Sequence, residues 1–532
     1  MHYFYPIPEE LTSSLPDGFN NPFDYTPHPL CLFAKQQLER SLPKPSTMEK
    51  GKMYGVLIVK NLSGQIGYLA AYSGNEKDLN SGFYFVPQVY DITNPSGFFR
   101  AEEQNLNEIN AAIKELKNSS VLSDLKQQLS AKEKAAKQTI KQTKEQNKIH
   151  KAERDKKRSS TTDDSIHQLL IKQSQTEKSN FNKLRKQLKN ELDELRSEIE
   201  SFNEKLNSLK EQRKLKSAEV QKQLFDNYVF INADGNKASA TAIFEQSVNT
   251  LPPAGTGDCA APKLLQHAFI NNYTPIAIAE FWWGPSPQKK VRKHGYFYPA
   301  CKSKCEPLLG FMLKGLSMAS DKVKKPLKIE VIYEDDCLII INKPSGLLSV
   351  PGKSNDDSVY QQIKHLFPRC EEPFIVHRLD RDTSGLMIIT KTKNVYINLQ
   401  KQFLNHDVKK RYVAILDGDI KKDSGTIDLP LRVDLDDRPR QLVCYKHGKP
   451  AKTLWKVITK DKNQTRVHFY PLTGRTHQLR VHAAHIKGLN TPIVGDPLYG
   501  RKAKRLMLHA EHIVFNHPET QKQIAFHCPA NF

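Results

Sequence analysis

Two carboxylates, two arginines and a histidine crowd into nine residues, His377-Arg378-Leu379-Asp380-Arg381-Asp382-Thr383-Ser384-Gly385. Apolar runs flank them, Phe374-Ile375-Val376 before and Leu386-Met387-Ile388-Ile389 after. A polar loop between two strands is a rigid mount for reactive side chains. Asp380 in such a loop can be a nucleophile, a general acid or base, or a turn cap. Neighbouring arginines keep a carboxylate ionised, which suits a nucleophile better than an acid. A glycosidase-like pairing of Asp380 with Asp382 is also open, and requires carboxyls about 5–10 Å apart across a sugar. Asp382-Thr383-Ser384-Gly385 is good turn chemistry, so Asp382 reads as the loop's organiser. On these residues alone a purely structural loop is an equal alternative.

A second grouping is sulfur. Cys259 stands in Gly255-Thr256-Gly257-Asp258-Cys259-Ala260-Ala261-Pro262-Lys263, and Cys301 and Cys305 in Pro299-Ala300-Cys301-Lys302-Ser303-Lys304-Cys305. This frame resembles the zinc nucleotide deaminases, whose pattern is His/Cys-Ala-Glu followed by Pro-Cys-x-x-Cys. It departs from them twice. Ala261 occupies the place of the proton-shuttling Glu, and three residues rather than two separate Cys301 from Cys305. Without that Glu a zinc-bound water lacks its general acid/base. Buried structural thiols are the expectation, with Cys259, Cys301 and Cys305 as candidate ligands should a structural zinc or a degenerate deaminase-like fold be present.

The chain has 532 residues, 80 Lys+Arg against 58 Asp+Glu for a net charge of +22, and a pI near 9.4. That excess points to a polyanionic partner, because each phosphate neutralised releases counterions. A solvated basic surface is the bland alternative. No run is apolar and long enough to span a bilayer, and Met1-His2-Tyr3-Phe4-Tyr5-Pro6 lacks the basic and apolar regions of a signal peptide. Eight cysteines over this length are not a disulfide scaffold. Nucleic acid rather than membrane, in a reducing cytoplasm, is the expectation.

The elements that would position these residues follow from periodicity. Residues 1–48, rich in Pro and without a clear period, read as an extended arm. Gly55-Val56-Leu57-Ile58-Val59 and Ile66-Gly67-Tyr68-Leu69-Ala70-Ala71-Tyr72 read as a hairpin around Asn61-Leu62-Ser63-Gly64. From Phe98 to Asp234 there is neither Pro nor Gly. Leu188, Leu192, Leu195, Ile199, Phe202, Leu206 and Leu209 alternate four and three apart, a heptad seam, and Leu106, Ile109, Ile113 and Leu116 form a weaker stripe. The polar break Arg158-Ser159-Ser160-Thr161-Thr162-Asp163-Asp164 suits a turn and a new helix start. Residues 98–225 are therefore expected as a coiled-coil hairpin inserted into one α+β domain (49–97 and 226–318). A linker at 319–326 leads to an α+β domain at 327–532 around a mostly antiparallel mixed sheet. There Val395, Leu399 and Phe403 mark a helix.

Within 327–532 the motifs converge. His377-Arg378-Leu379-Asp380 with Thr383-Ser384-Gly385 resembles the signature of the RluA-type RNA pseudouridine synthases. Asn342-Lys343-Pro344-Ser345-Gly346, Lys410-Arg411-Tyr412, Gly474-Arg475-Thr476-His477-Gln478-Leu479-Arg480-Val481-His482, Gly495-Asp496-Pro497-Leu498-Tyr499-Gly500 and Leu506-Met507-Leu508-His509-Ala510 agree in order and spacing. Arg381 and Asp382 fill the signature's variable pair.

The resemblance implies a pseudouridine synthase fold without metal or organic cofactor. It implies that Asp380 attacks a uridine whose uracil leaves through N1, rotates and rejoins the ribose through C5. Arg475 is expected to pair with Asp380 and hold it ionised. Tyr412 is expected to stack on the base and assist proton transfer, Leu479 to border the substrate, and Arg378 to enter the space left by a flipped base. His377, Arg381, Arg440 and Arg480 are candidate RNA contacts. A metal site of His477, His482 and His485 is disfavoured, since they lie in a metal-free motif. The implied partner is structured RNA, rRNA or tRNA, with ribosomal particles reached through the coiled coil. The competing reading is an RNA- or ribosome-binding protein in which the synthase domain is a binding platform.

Overall fold

In the computed structural model, residues 3–74, 83–92, 94, 97–160, 162–319, 326–352, 357–368 and 374–532 are described. Most of the expected 319–326 linker and part of the Asn94-Pro95-Ser96-Gly97 turn lie outside them. The chain divides into two compact units, Met1–Tyr90 with Phe225–Phe532, and Asp91–Leu224.

In the first unit, strands Lys52–Lys60 and Ile66–Tyr72 pair antiparallel as the expected hairpin. Thr274–Trp283 adds to the free side of Lys52–Lys60, and Tyr5–Pro6 to that of Ile66–Tyr72. The N-terminal 48 residues are not simply extended. Pro29–Glu39 is an α-helix with His28 accepting a bond from the Leu30 N–H. Leu30, Cys31, Ala34 and Leu38 line one helical face and pack on Tyr54, Val56 and Ile58. The surrounding prolines mask this stripe, although a proline at the first helical position favours a helix start.

Residues 327–532 build a ten-stranded sheet. Ser384–Thr390, buried throughout, runs antiparallel to Leu338–Lys343 and, over Ser384 and Gly385, parallel to Leu508–Asn516. The remaining pairs are antiparallel, so the sheet is mixed and mostly antiparallel. Lys393–Leu404 is the expected helix. The two sheets are not held apart. Segment 288–303 lies against the separate two-stranded sheet of Leu431–Val433 and Gln441–Val443 and the end of strand Lys409–Leu416, through Lys290–Asp434 at 2.7 Å, Arg292 on Asp437, the Lys289 carbonyl accepting from Val443 N at 3.0 Å and Tyr296 on Asp417 at 3.3 Å. Val291 is buried in the core formed by Leu416, Trp455 and Phe469.

The second unit is helical: Phe98–Asn118, Ser120–Ser159 and Asp164–Asn227, the last running on into the first unit. The first helix is bent rather than continuous. Ser119 leaves the helical region at φ −59°, ψ 124°, where Asn118, Ser119 and Ser120 compete for local backbone bonds. Lys216–Glu102 at 3.1 Å, Arg196–Glu133 at 2.8 Å and Arg154–Glu177 at 2.7 Å link the bent helix to the long one in reversed sequence order. Every heptad position from Leu188 to Leu209 is buried or half-buried.

Candidate active site

The polar loop is held by its exit strand. Gly385 pairs with Ala510, and Ala510 pairs on its other side with Tyr412. Tyr412 therefore stands two strands from the loop's end, about 9–10 Å across the sheet. Gly385 has φ +118°, and a Cβ there would lie 2.4 Å from the Ala510 carbonyl oxygen. Only glycine permits both the conformation and the approach. The Thr383 N–H closes a turn onto the Asp380 carbonyl at 3.1 Å.

Lys343 completes the mount. Its ammonium, fully buried, donates to the carbonyls of Pro344, Leu347 and Arg381 at 2.9, 2.7 and 2.9 Å. Burial brings its pKa down to about 7, against the opposing charges of Asp382 and Asp380. Ser345 Oγ donates to the Asp382 carbonyl at 2.6 Å. The Asn342–Gly346 motif thus fastens the loop by its backbone, which leaves the Asp380 carboxylate free for other work.

The cation facing Asp380 is Arg480, with Nη1 3.8 Å from Oδ2, and not Arg475 as expected. Arg480 lies in the first turn of helix Gln478–Ala484 and is buried. Its Nε and Nη2 donate to the two oxygens of Asp496 at 2.8 and 2.7 Å. Asp496 is wholly buried and also accepts the N–H groups of Leu498 and Tyr499. Burial opposes the charge on both partners, but their attraction outweighs it, lowering the Asp496 pKa and raising that of Arg480. The bidentate fork leaves Nη1 for Asp380. Arg475 precedes the helix, is exposed, and donates Nε to the Pro450 carbonyl at 3.0 Å.

Tyr412 is half-buried between two core clusters, one of them containing Leu479. Burial first, then the charge of Asp380, raises its pKa, so the phenol stays protonated. Leu479 is buried in that core. His377 anchors the loop to its exit strand. Its Nε2 accepts the Ile388 N–H at 3.1 Å, its ring stacks on Phe403, and burial, aided by Lys410, lowers its pKa to about 3. Arg440 is likewise internal, bonded to Asp437 at 3.0 Å and lying over the Tyr298 ring. Arg480 is too buried to reach a phosphate. The three histidines do not converge. His477 Nδ1 meets the Tyr499 hydroxyl at 2.9 Å, His482 sits between Thr453 and the Leu429 carbonyl, and His485 bonds the Gln288 carbonyl.

Arg378, Asp380, Arg381 and Arg480 line a cleft of about 1840 Å³. Arg378 is exposed, and Arg381 holds the Gly346 carbonyl at 3.0 Å. The opposite wall comes from residues 23–27 and 296–299 and from Lys302, to which no motif in the sequence pointed. Ten basic side chains line it against four acidic ones, so the cleft favours a polyanion. Lys343, Asp496 and Tyr499 were visible only as motif members, and the far wall carried no local signal at all.

Residues 337–485 match the sequence family described as RNA pseudouridylate synthase. The dual-specificity RNA pseudouridine synthase RluA of Yersinia pestis is 43% identical over 210 residues, which are 38% of this chain and 99% of that protein. Proteins of the same name from Pasteurella multocida and Escherichia coli K12 are each 42% identical, with 94% and 93% of their lengths covered.

Proposed function

The chain belongs to the RluA-type RNA pseudouridine synthases, and on that premise we propose that Asp380 is the nucleophile of uridine isomerisation in structured rRNA or tRNA. The observation that carries this is the carboxylate of Asp380. It is partly exposed on the basic cleft, with Arg480 aimed at it by Asp496. In the reaction the N1–C1′ bond breaks, C5–C1′ forms, the C5 proton leaves and N1 gains one. Arg480 faces the attacking carboxylate of Asp380. Tyr412, protonated, offers a ring face and a hydroxyl rather than a phenolate base. Arg378 fills the gap left by the flipped uridine. The dual specificity in the relatives' names supports more than one RNA class as substrate.

Residues 327–532 are the catalytic domain in this reading, and the α+β domain of 49–97 with 226–318, through 295–302, joins residues 23–27 in a second wall for RNA. Residues 98–225 act as a coiled-coil hairpin that reaches structured RNA or ribosomal particles. Its supports are the heptad seam and the reversed-order ion pairs. Among the described residues no helix is long and apolar enough to cross a membrane. With thiols unpaired among those residues, a cytoplasmic place is the consistent one.

The test is tritium release from 5-tritiated uridine in rRNA and tRNA transcripts. Asp380→Asn is expected to lower turnover by on the order of 10⁴-fold or more while RNA binding persists. Retained turnover would remove Asp380 from the mechanism.

A further inference from the structure

The sulfurs of Cys259, Cys301 and Cys305 lie within 4.8 Å of one another, although 41 residues separate the first from the second. Cys301 and Cys305 sulfurs are 3.5 Å apart, beyond a disulfide bond. Cys259 caps the start of helix Ala260–Ile270, and Cys305 is the first residue of helix Cys305–Met312. Two helix N-termini therefore meet at the cluster, where their partial positive charge favours thiolates. Glu280, buried, accepts the Ala261 N–H at 3.1 Å and stands within electrostatic reach of Cys259 and Cys301. The buried Lys263 sends its ammonium to the carbonyls of Tyr72 and Gly74, at 3.1 and 2.6 Å, rather than to sulfur.

From this geometry we infer that Cys259, Cys301 and Cys305 form a zinc site that fastens the wall of the cleft opposite the catalytic loop. Zinc at about 2.3 Å from each of three tetrahedrally placed sulfurs sets them about 3.8 Å apart, which the present spacing accommodates. The fourth position takes an exchangeable ligand, because no fourth His, Cys, Asp or Glu joins the group among the described residues. The ion offsets the negative charge that three thiolates would otherwise concentrate in one place. Its structural effect follows from the path of the chain. After strand Thr274–Trp283 the backbone crosses to the domain at 327–532 through Lys290 on Asp434, Arg292 on Asp437 and Tyr296 on Asp417, lines the cleft, and returns at Cys301. The metal ties that return to the start of helix Ala260–Ile270. The site lies outside the catalytic motifs, and no chemistry on RNA is assigned to it.

The experiment is elemental analysis of the full chain, purified without chelator, and of reduced chain reloaded with zinc chloride and desalted. About one zinc per chain is expected. Cys301→Ser and Cys305→Ser should each drop it at least tenfold, while Cys444→Ser, on the other sheet's side, should keep it. To separate ligation from misfolding, Cys259→His should retain zinc, and cobalt in its place should give thiolate-to-metal charge-transfer bands that weaken in Cys259→His. Absence of zinc in both preparations, or a Cys301–Cys305 disulfide in a non-reducing peptide map of freshly purified protein, would overturn the site.

Discussion

Arg475 and Arg480 are five residues apart in one motif, yet their surroundings assign them different work. Arg480 is clamped by Asp496 and faces Asp380, whereas Arg475 bonds a backbone carbonyl at the surface. Arg480→Met should therefore cost about 3–5 kcal/mol of stability, since Asp496 would be left buried and uncompensated. Arg480→Lys, which keeps the charge but loses the fork, should fold and lose at least about 10²-fold in kcat. Arg475→Ala should keep kcat within about threefold and change mainly KM. Steady-state tritium release with urea melts separates these outcomes, and an Arg475 variant as inactive as the Arg480 variant would reverse the assignment.

Histidine burial sets an acid limit at the same scale. His477 and His482 have pKa values brought down to about 4, chiefly by burial, while the unfolded chain protonates near 6.5. Protons bind the unfolded state preferentially between these values, so stability is lost as pH falls from about 6.5 toward 4. The slope is at most about 1.4 kcal/mol per pH unit for each histidine. Urea midpoints should begin to fall below pH 6.5, above the carboxylate range, and a flat profile down to pH 5 would count against the neutral, buried assignment.

Among the elements, the strand Ser384–Thr390 carries the most. It receives the loop, pairs with the Lys343 strand and meets Ala510 at Gly385. Gly385→Ala places a methyl against the Ala510 backbone at a positive φ, with an expected cost of about 3 kcal/mol or more and a displaced Asp380. Thermal melts and tritium release should fall together. A stable variant with lowered turnover would locate the strain in the loop alone. The strands themselves were legible as apolar runs between turn residues. Helix Pro29–Glu39 was not, because prolines on either side interrupt the window in which its four-residue stripe appears.

For the whole molecule, the catalytic cleft is built by both parts of the larger compact unit. Lys302 stands on the wall remote in sequence and Lys504 on the synthase side, both exposed. Lys302→Ala with Lys504→Ala should weaken RNA binding about tenfold near physiological salt. It should also make log K against log salt shallower by about 1–2 units, with kcat little changed. An unchanged slope would mean that RNA does not follow this cleft.

Reaction type was determined by the sequence, because catalytic chemistry needs particular side chains in a particular local order, and that order runs unbroken from Asn342 to His509. The hairpin of strands Lys52–Lys60 and Ile66–Tyr72 was equally accessible, since alternation and turns are local properties. Tertiary structure alone decided which arginine faces Asp380, that Lys343 secures the loop from beneath, and that Tyr296 and Lys302 stand across the cleft. Each depends on contacts between residues from tens to hundreds of positions apart, and on burial, which neither spacing nor residue type encodes. The same reason gathers three cysteines that the chain keeps in two separate segments.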